Sequence, residues 1–110
     1  EFLDFLISQK KRGKIVAAYG AAAKGNTLLN YCGIKSDLIS FVVDASPYKQ
    51  GLFLPGSHIP VVSENKIREE KPDYIIIFPW NIKDEIISQL EYVKEWDAKF
   101  VVLIPEMKIF

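Results

Sequence analysis

Residues Tyr74-Ile75-Ile76-Ile77-Phe78 form an unbroken run of β-branched and aromatic side chains with no charge in it. A strand with one wet face alternates apolar and polar residues; a strand buried on both faces does not. Such a strand needs a sheet covered on both sides. Three further runs read the same way: Lys14-Ile15-Val16-Ala17-Ala18, Leu38-Ile39-Ser40-Phe41-Val42-Val43-Asp44, and Lys99-Phe100-Val101-Val102-Leu103-Ile104-Pro105. Val61-Val62 adds a short strand. Strands that alternate with helical segments predict a parallel sheet with right-handed crossovers and helices on both faces. The expected fold class is therefore α/β, three layers deep (α/β/α), with a five-stranded, mainly parallel sheet in the order 3-2-1-4-5.

The helices announce themselves by spacing and punctuation. Phe2, Leu3, Phe5 and Leu6 precede Lys10, Lys11, Arg12 and Gly13, the pattern of an amphipathic helix with cations in its last turn and a glycine stop. Leu28 to Cys32, ended by Gly33, reads as a short helix after the first strand. Ser63 is placed to cap a small helix from Glu64 to Glu70, whose main apolar residue is Ile67. Asn81 is the expected N-cap of a helix from Ile82 to Glu95, with Ile82, Ile86, Leu90 and Val93 on its apolar face. Asp97-Ala98 turns into the last long strand, and Met107 to Phe110 is a tail or an edge element.

In a sheet of this order the topological switch point lies between strands one and four, where ligands bind beyond the strand C-termini. The loops there are Gly20-Ala21-Ala22-Ala23-Lys24-Gly25-Asn26 and Pro79-Trp80-Asn81. The first has little side-chain bulk and runs into a helix N-terminus, so a phosphate can approach its backbone N–H groups. It is not a dinucleotide fingerprint, because Ala22 replaces the second glycine. It is not a nucleotide triphosphate P-loop, because Asn26 replaces the phosphate-binding lysine; Lys24 can reach an anion from within the loop. The alternative is that these small residues only let strand and helix pack closely. Trp80 either stacks on a flat ligand or plugs the sheet edge. Asp44, at the end of the second strand, either takes a ribose hydroxyl or caps the turn that starts at Ser46-Pro47. The irregular stretch from Ala45 to Pro60 is long for a compact domain, and Lys49, Gln50 and His58 are its polar candidates for ligand contact. A lone histidine without acid or cysteine partners is poor material for a metal site or a general base.

Composition narrows the classes. A length of 110 residues suits one domain. Fourteen basic and fourteen acidic residues cancel, which argues against a nucleic-acid partner. No apolar run is long enough to span a membrane and no signal peptide is visible. Cys32 is the only cysteine, which excludes an internal disulfide and fits a reducing, cytoplasmic setting; its place in a short helix suits a core thiol better than a nucleophile. The chain does not begin with Met and opens inside a helical pattern, so it is expected to be a domain excised from a longer protein.

Taken together, Tyr19-Gly20-Ala21-Ala22-Ala23-Lys24-Gly25-Asn26-Thr27-Leu28-Leu29-Asn30, Asp44, Lys49-Gln50-Gly51, Pro55-Gly56-Ser57-His58-Ile59-Pro60, Pro72-Asp73-Tyr74 and Pro79-Trp80-Asn81 resemble the C-terminal domain of the S-adenosylmethionine-dependent sugar C-methyltransferases. The likeness runs from about Leu3 to Pro105. It departs from the commoner pattern at Ala45-Ser46 and at Asp97-Ala98. The resemblance implies a Rossmann-like domain that helps to hold a nucleotide-sugar. It also implies that S-adenosylmethionine, catalysis and a zinc site belong to other domains, with no cofactor and no catalytic residue here. On that reading the substrate contacts are Gly20, Ala21, Ala22, Ala23, Lys24, Gly25, Asn26, Asp44, Lys49, His58, Pro79, Trp80 and Asn81. The competing readings are a module for NAD or another nucleotide cofactor, which Asp44 favours, and a scaffold that binds no ligand and buttresses the methyltransferase domain or a dimer interface.

Overall fold

The computed structural model of the chain describes residues 2–20, 23–44, 51–103 and 106–110, and for residues 23–25 the backbone alone. The strands are β1 (Val16–Tyr19), β2 (Val42–Val43), β3 (Val61–Val62), β4 (Tyr74–Ile77), β5 (Lys99–Val102) and β6 (Lys108–Ile109). They form one sheet in the order β3-β2-β1-β4-β5-β6. The first five are parallel, and β6 runs antiparallel to β5. The order expected for five strands holds, but the sheet has six. The extra strand comes from the tail: Phe110 and Phe100 exchange backbone bonds of 2.8 and 3.2 Å. Pairing there covers the open edge of β5, which would otherwise present unpaired backbone groups.

The helices are α1 (Phe2–Lys11), α2 (Ala23–Tyr31), α3 (Asn65–Glu70) and α4 (Lys83–Gln89). Side chains of one strand point alternately to opposite faces, and two buried clusters result. Val16, Ala18, Val42, Ile76 and Val101 pack with Leu6 of α1, Leu29 of α2, and Leu54 and Ile59. Ala17, Val43, Ile75, Ile77, Phe100 and Val102 pack with Ile67 of α3, Ile86 of α4, Leu90 and Val93. Double-sided burial is why β4 carries no alternation. On α1, Phe5 meets Tyr74 edge-on, with ring centroids 5.1 Å apart.

Several local expectations are corrected. The second strand is shorter than Leu38 to Asp44: only Val42–Val43 pairs as strand, after a turn at residues 36–38. The last parallel strand stops at Val102, and residues 104–105 lie outside those described. No side-chain cap from Ser63 starts α3; Glu64 holds the N-cap position without a side-chain bond. The helix expected from Ile82 to Glu95 is three pieces: a 3-10 turn Trp80–Ile82, α4, and a 3-10 segment Glu91–Trp96. Asn81 therefore sits inside the first 3-10 turn and caps nothing. Ile82 is 43% exposed, whereas Ile86, Leu90 and Val93 are buried. Residues three apart eclipse in a 3-10 helix, so the last segment keeps Leu90, Val93 and Trp96 on one side. Trp96 then donates its indole N–H to the Pro72 carbonyl at 2.9 Å.

Of the stretch expected to be irregular from Ala45 to Pro60, residues 51–60 fold into a tight hairpin. Phe53 pairs antiparallel with Pro60, and the Leu54 and Val61 N–H groups bond the carbonyls of Ile59 and Leu52 at 2.9 and 2.8 Å. Burial of Leu54 and Ile59 accounts for the order of this segment. Gly56 lies at φ +81° where a Cβ would run into Asn30. Asn30 in turn donates to the Pro55 carbonyl at 3.0 Å, which fastens the hairpin tip to α2.

α3 has six residues, too few to persist alone, and Ile67 is its one buried residue. Ile67→Ala should cost about 2–5 kcal/mol. In urea the unfolding midpoint should fall while the slope stays constant.

Candidate functional site

Strands β1 and β4 are neighbours in register, with Tyr19 opposite Ile77. Beyond these residues the chain diverges. α2 packs through Leu29 on one face and α4 through Ile86 on the other. That divergence marks the switch point at the strand C-termini, where sheets of this order bind ligands, and the candidate crevice is placed there.

Its two lips touch. Gly20 has φ +89°, and a Cβ there would lie 2.6 Å from Pro79 Cδ. Glycine is needed at this point for the backbone angle and for the approach of Pro79 together. The end of β1 is bonded on both sides: Gly20 N–H donates to the Val43 carbonyl of β2 at 2.8 Å, and Phe78 N–H donates to the Tyr19 carbonyl at 3.1 Å. Pro79, at φ −76° and ψ 72°, is the centre of an inverse γ-turn closed by Trp80 N–H donating to the Phe78 carbonyl at 2.7 Å. The turn swings Trp80 outward, and it remains 43% exposed.

The sequence candidates divide as follows. Gly20, Pro79, Trp80 and Asn81 are together at the crevice. The helix starts at Ala23 rather than after the glycine turn, so Ala23, Lys24, Gly25 and Asn26 are its first residues and not a loop. Asn26 Oδ1 is buried and has no hydrogen-bond partner among the described residues. Asp44 directly follows β2, and its N–H donates to the Val62 carbonyl at 3.1 Å. Ala21, Ala22 and Lys49 lie outside the described residues. His58 is not brought to the crevice. It follows the hairpin tip that Asn30 and Lys35 hold at the far end of α2, about 10 Å of helix from Ala23. His58 takes φ +59° there, so its backbone makes the turn while its side chain is exposed.

A set of polar contacts beside the crevice had no sequence signal. The Gln89 side-chain amide donates to the Tyr19 hydroxyl at 3.1 Å and to Glu64 Oε1 at 2.6 Å. The Tyr92 hydroxyl donates to Glu64 Oε2 at 3.1 Å. The Arg68 guanidinium carbon stands 3.7 Å from the centre of the Tyr92 ring. These residues are scattered over four elements, and no spacing within any of them announces the others. Burial, then the bond to Glu64 and its negative charge, push the Tyr92 hydroxyl up to about 12, with Arg68 opposing.

At the other end of the strands Arg12, Lys14, Asp73, Tyr74, Asp97 and Lys99 line an open depression. Asp73 is engaged there: it accepts the Ile15 N–H at 2.8 Å and faces Lys14 at 3.9 Å. Among the described residues no group of three His, Cys, Asp or Glu is placed to hold a metal ion. No helix there is long and apolar enough to cross a membrane. Cys32 is half-buried against the cluster that includes Leu29.

This chain belongs to the C-methyltransferase C-terminal domain family, whose model matches residues 1–105. It is 41% identical over 97 residues to C-methyltransferase NovU of Streptomyces niveus, an alignment that covers 88% of this chain and 23% of that protein. The chain thus spans less than a quarter of the relative's length.

Two outcomes are expected. Gly20→Ala should destabilise the domain by about 1–3 kcal/mol through positive φ and the Pro79 clash, read as a lower thermal midpoint. Separately, Tyr92 has a folded pKa above its ordinary value of 10.0, so between pH 10 and about 12 the unfolded chain holds fewer protons than the folded one. Stability present below pH 10 should therefore drain away across that window. Unfolding midpoints of wild type and Tyr92→Phe, measured from pH 9 to 12, should converge as the pH rises.

Proposed function

We propose that this domain holds the nucleotide-linked sugar substrate of a C-methyltransferase, and that methyl transfer takes place in the part of the protein outside this chain. Membership of the family supports the second half of this reading. The observation that carries the first is Trp80, a half-exposed indole thrown out at the lip of the switch-point crevice. Its flat apolar face suits a nucleobase or a sugar ring. The start of α2 supports a place for the diphosphate, since the helix follows β1 and its first N–H groups have no partner within the helix. Asn26 Oδ1, a buried acceptor without a partner among the described residues, suits a ligand hydroxyl. The helices on both faces and the strand order suit a Rossmann-like three-layer fold, for which binding at this crevice is the general rule. S-adenosylmethionine would supply the methyl group from the remainder of the protein, and a zinc site would also lie there. On this reading the whole protein works in the cytoplasm.

Asp44 supports one other reading, a dinucleotide cofactor, because it directly follows the strand next to β1, where such folds bind a ribose. Calorimetric titration of the full-length protein with thymidine diphosphate and with NADH separates the two. Saturable thymidine diphosphate binding is expected, weakened about ten-fold or more by Trp80→Ala, since stacking of a base on an aromatic is worth about 1–3 kcal/mol. Binding of NADH alone would replace this reading with the cofactor one. Silence from both ligands would leave a scaffold.

A further inference from the structure

Beside the crevice, one side chain ties together three segments of the chain. Tyr19 is the last residue of β1 and leads directly into the Gly20 lip. Gln89 ends α4, which begins directly after the 3-10 turn that carries Trp80. Glu64 stands at the N-cap of α3, two residues past β3, the strand that the hairpin of residues 51–60 leads into. The Gln89 amide spends both of its N–H groups on the other two, at 3.1 Å to Tyr19 and 2.6 Å to Glu64. Gln89 and Tyr19 are 70 positions apart in the chain, so this is tertiary fastening and not helix-local pairing.

The bond is exposed, and water can replace an exposed bond at little cost to folding. Stability alone is therefore a weak account of a donor that satisfies two distant acceptors at once. We infer that Gln89 is a positioning residue for the crevice: by holding Tyr19 against Glu64 it fixes the Gly20 lip relative to the Trp80 lip before a nucleoside diphosphate enters. This rests on the substrate reading given above. Tyr92 shares Glu64 through its other oxygen and makes no bond to Tyr19, so it serves packing and not the lips.

The test uses the full-length protein, with thymidine diphosphate as the probe and calorimetry as the readout. Tyr19→Phe and Gln89→Leu should each weaken binding about five-fold, the worth of one ordinary hydrogen bond. The double variant should bind as Gln89→Leu does, because both changes break the same link. Gln89→Lys, whose ammonium can reach both acceptors, should restore affinity. Tyr92→Phe should leave affinity unchanged even where it lowers the unfolding midpoint. If Gln89→Leu folds poorly, Tyr19→Phe, which loses a single oxygen, decides the matter. Wild-type affinity in Tyr19→Phe, or losses that multiply in the double variant, would overturn the inference while leaving the substrate reading standing. A wild-type protein that does not bind the probe would sink both together.

Discussion

Everything in this domain follows from having to bury β1 and β4 on both faces. Their residues are continuously apolar, so neither face can be left to water, and each needs a layer of helices. One cluster forms around Ile76 and the other around Ile75 and Ile77, adjacent residues of one strand that point opposite ways. The chain supplies both covers by sending α2 one way after β1 and α4 the other way after β4. The crevice between Gly20 and Pro79 is the geometric by-product of that split.

Because the crevice is set by chain direction, its place was legible in the sequence, while its interior was not. The strand runs and their order could be read from patterns several residues long. The glycine turn and the Pro-Trp-Asn step stood out as the odd loops at the right strand ends. Other features depended on partners far along the chain. β6 is two residues long and exists only by pairing with β5. Ile82 fits a helical stripe, yet the γ-turn at Pro79 and the following 3-10 turn rotate it out of register with Ile86. Ala23 to Asn26 reads as part of a loop of small residues, yet these residues are the first of α2. His58 lies close in sequence to segments at the crevice, but Asn30 and Lys35 hold its hairpin tip at the far end of α2. Gln89 carried no local signal, since a glutamine late in a helix is ordinarily a solvated residue.

The glycine at the lip illustrates how packing and function share a residue. Gly20 has no room for a side chain because Pro79 occupies the space. Its identity is therefore explained without a ligand, and the case for binding rests on Trp80, on Asn26 and on the family to which the chain belongs. Pro79 also has a fixed φ and no N–H of its own, so one lip is stiff by covalent structure and the other by the clash that any larger residue would meet. Two stiff lips lower the ordering cost that an entering ligand would otherwise meet.

The two tryptophans occupy contrasting environments. Trp96 is half-buried, with its indole N–H bonded to the Pro72 carbonyl, whereas Trp80 stands in water at the crevice. The domain thus carries two built-in optical reporters with separable emission: a bluer one for the packing of the last 3-10 segment against the sheet, and a redder one for the lip.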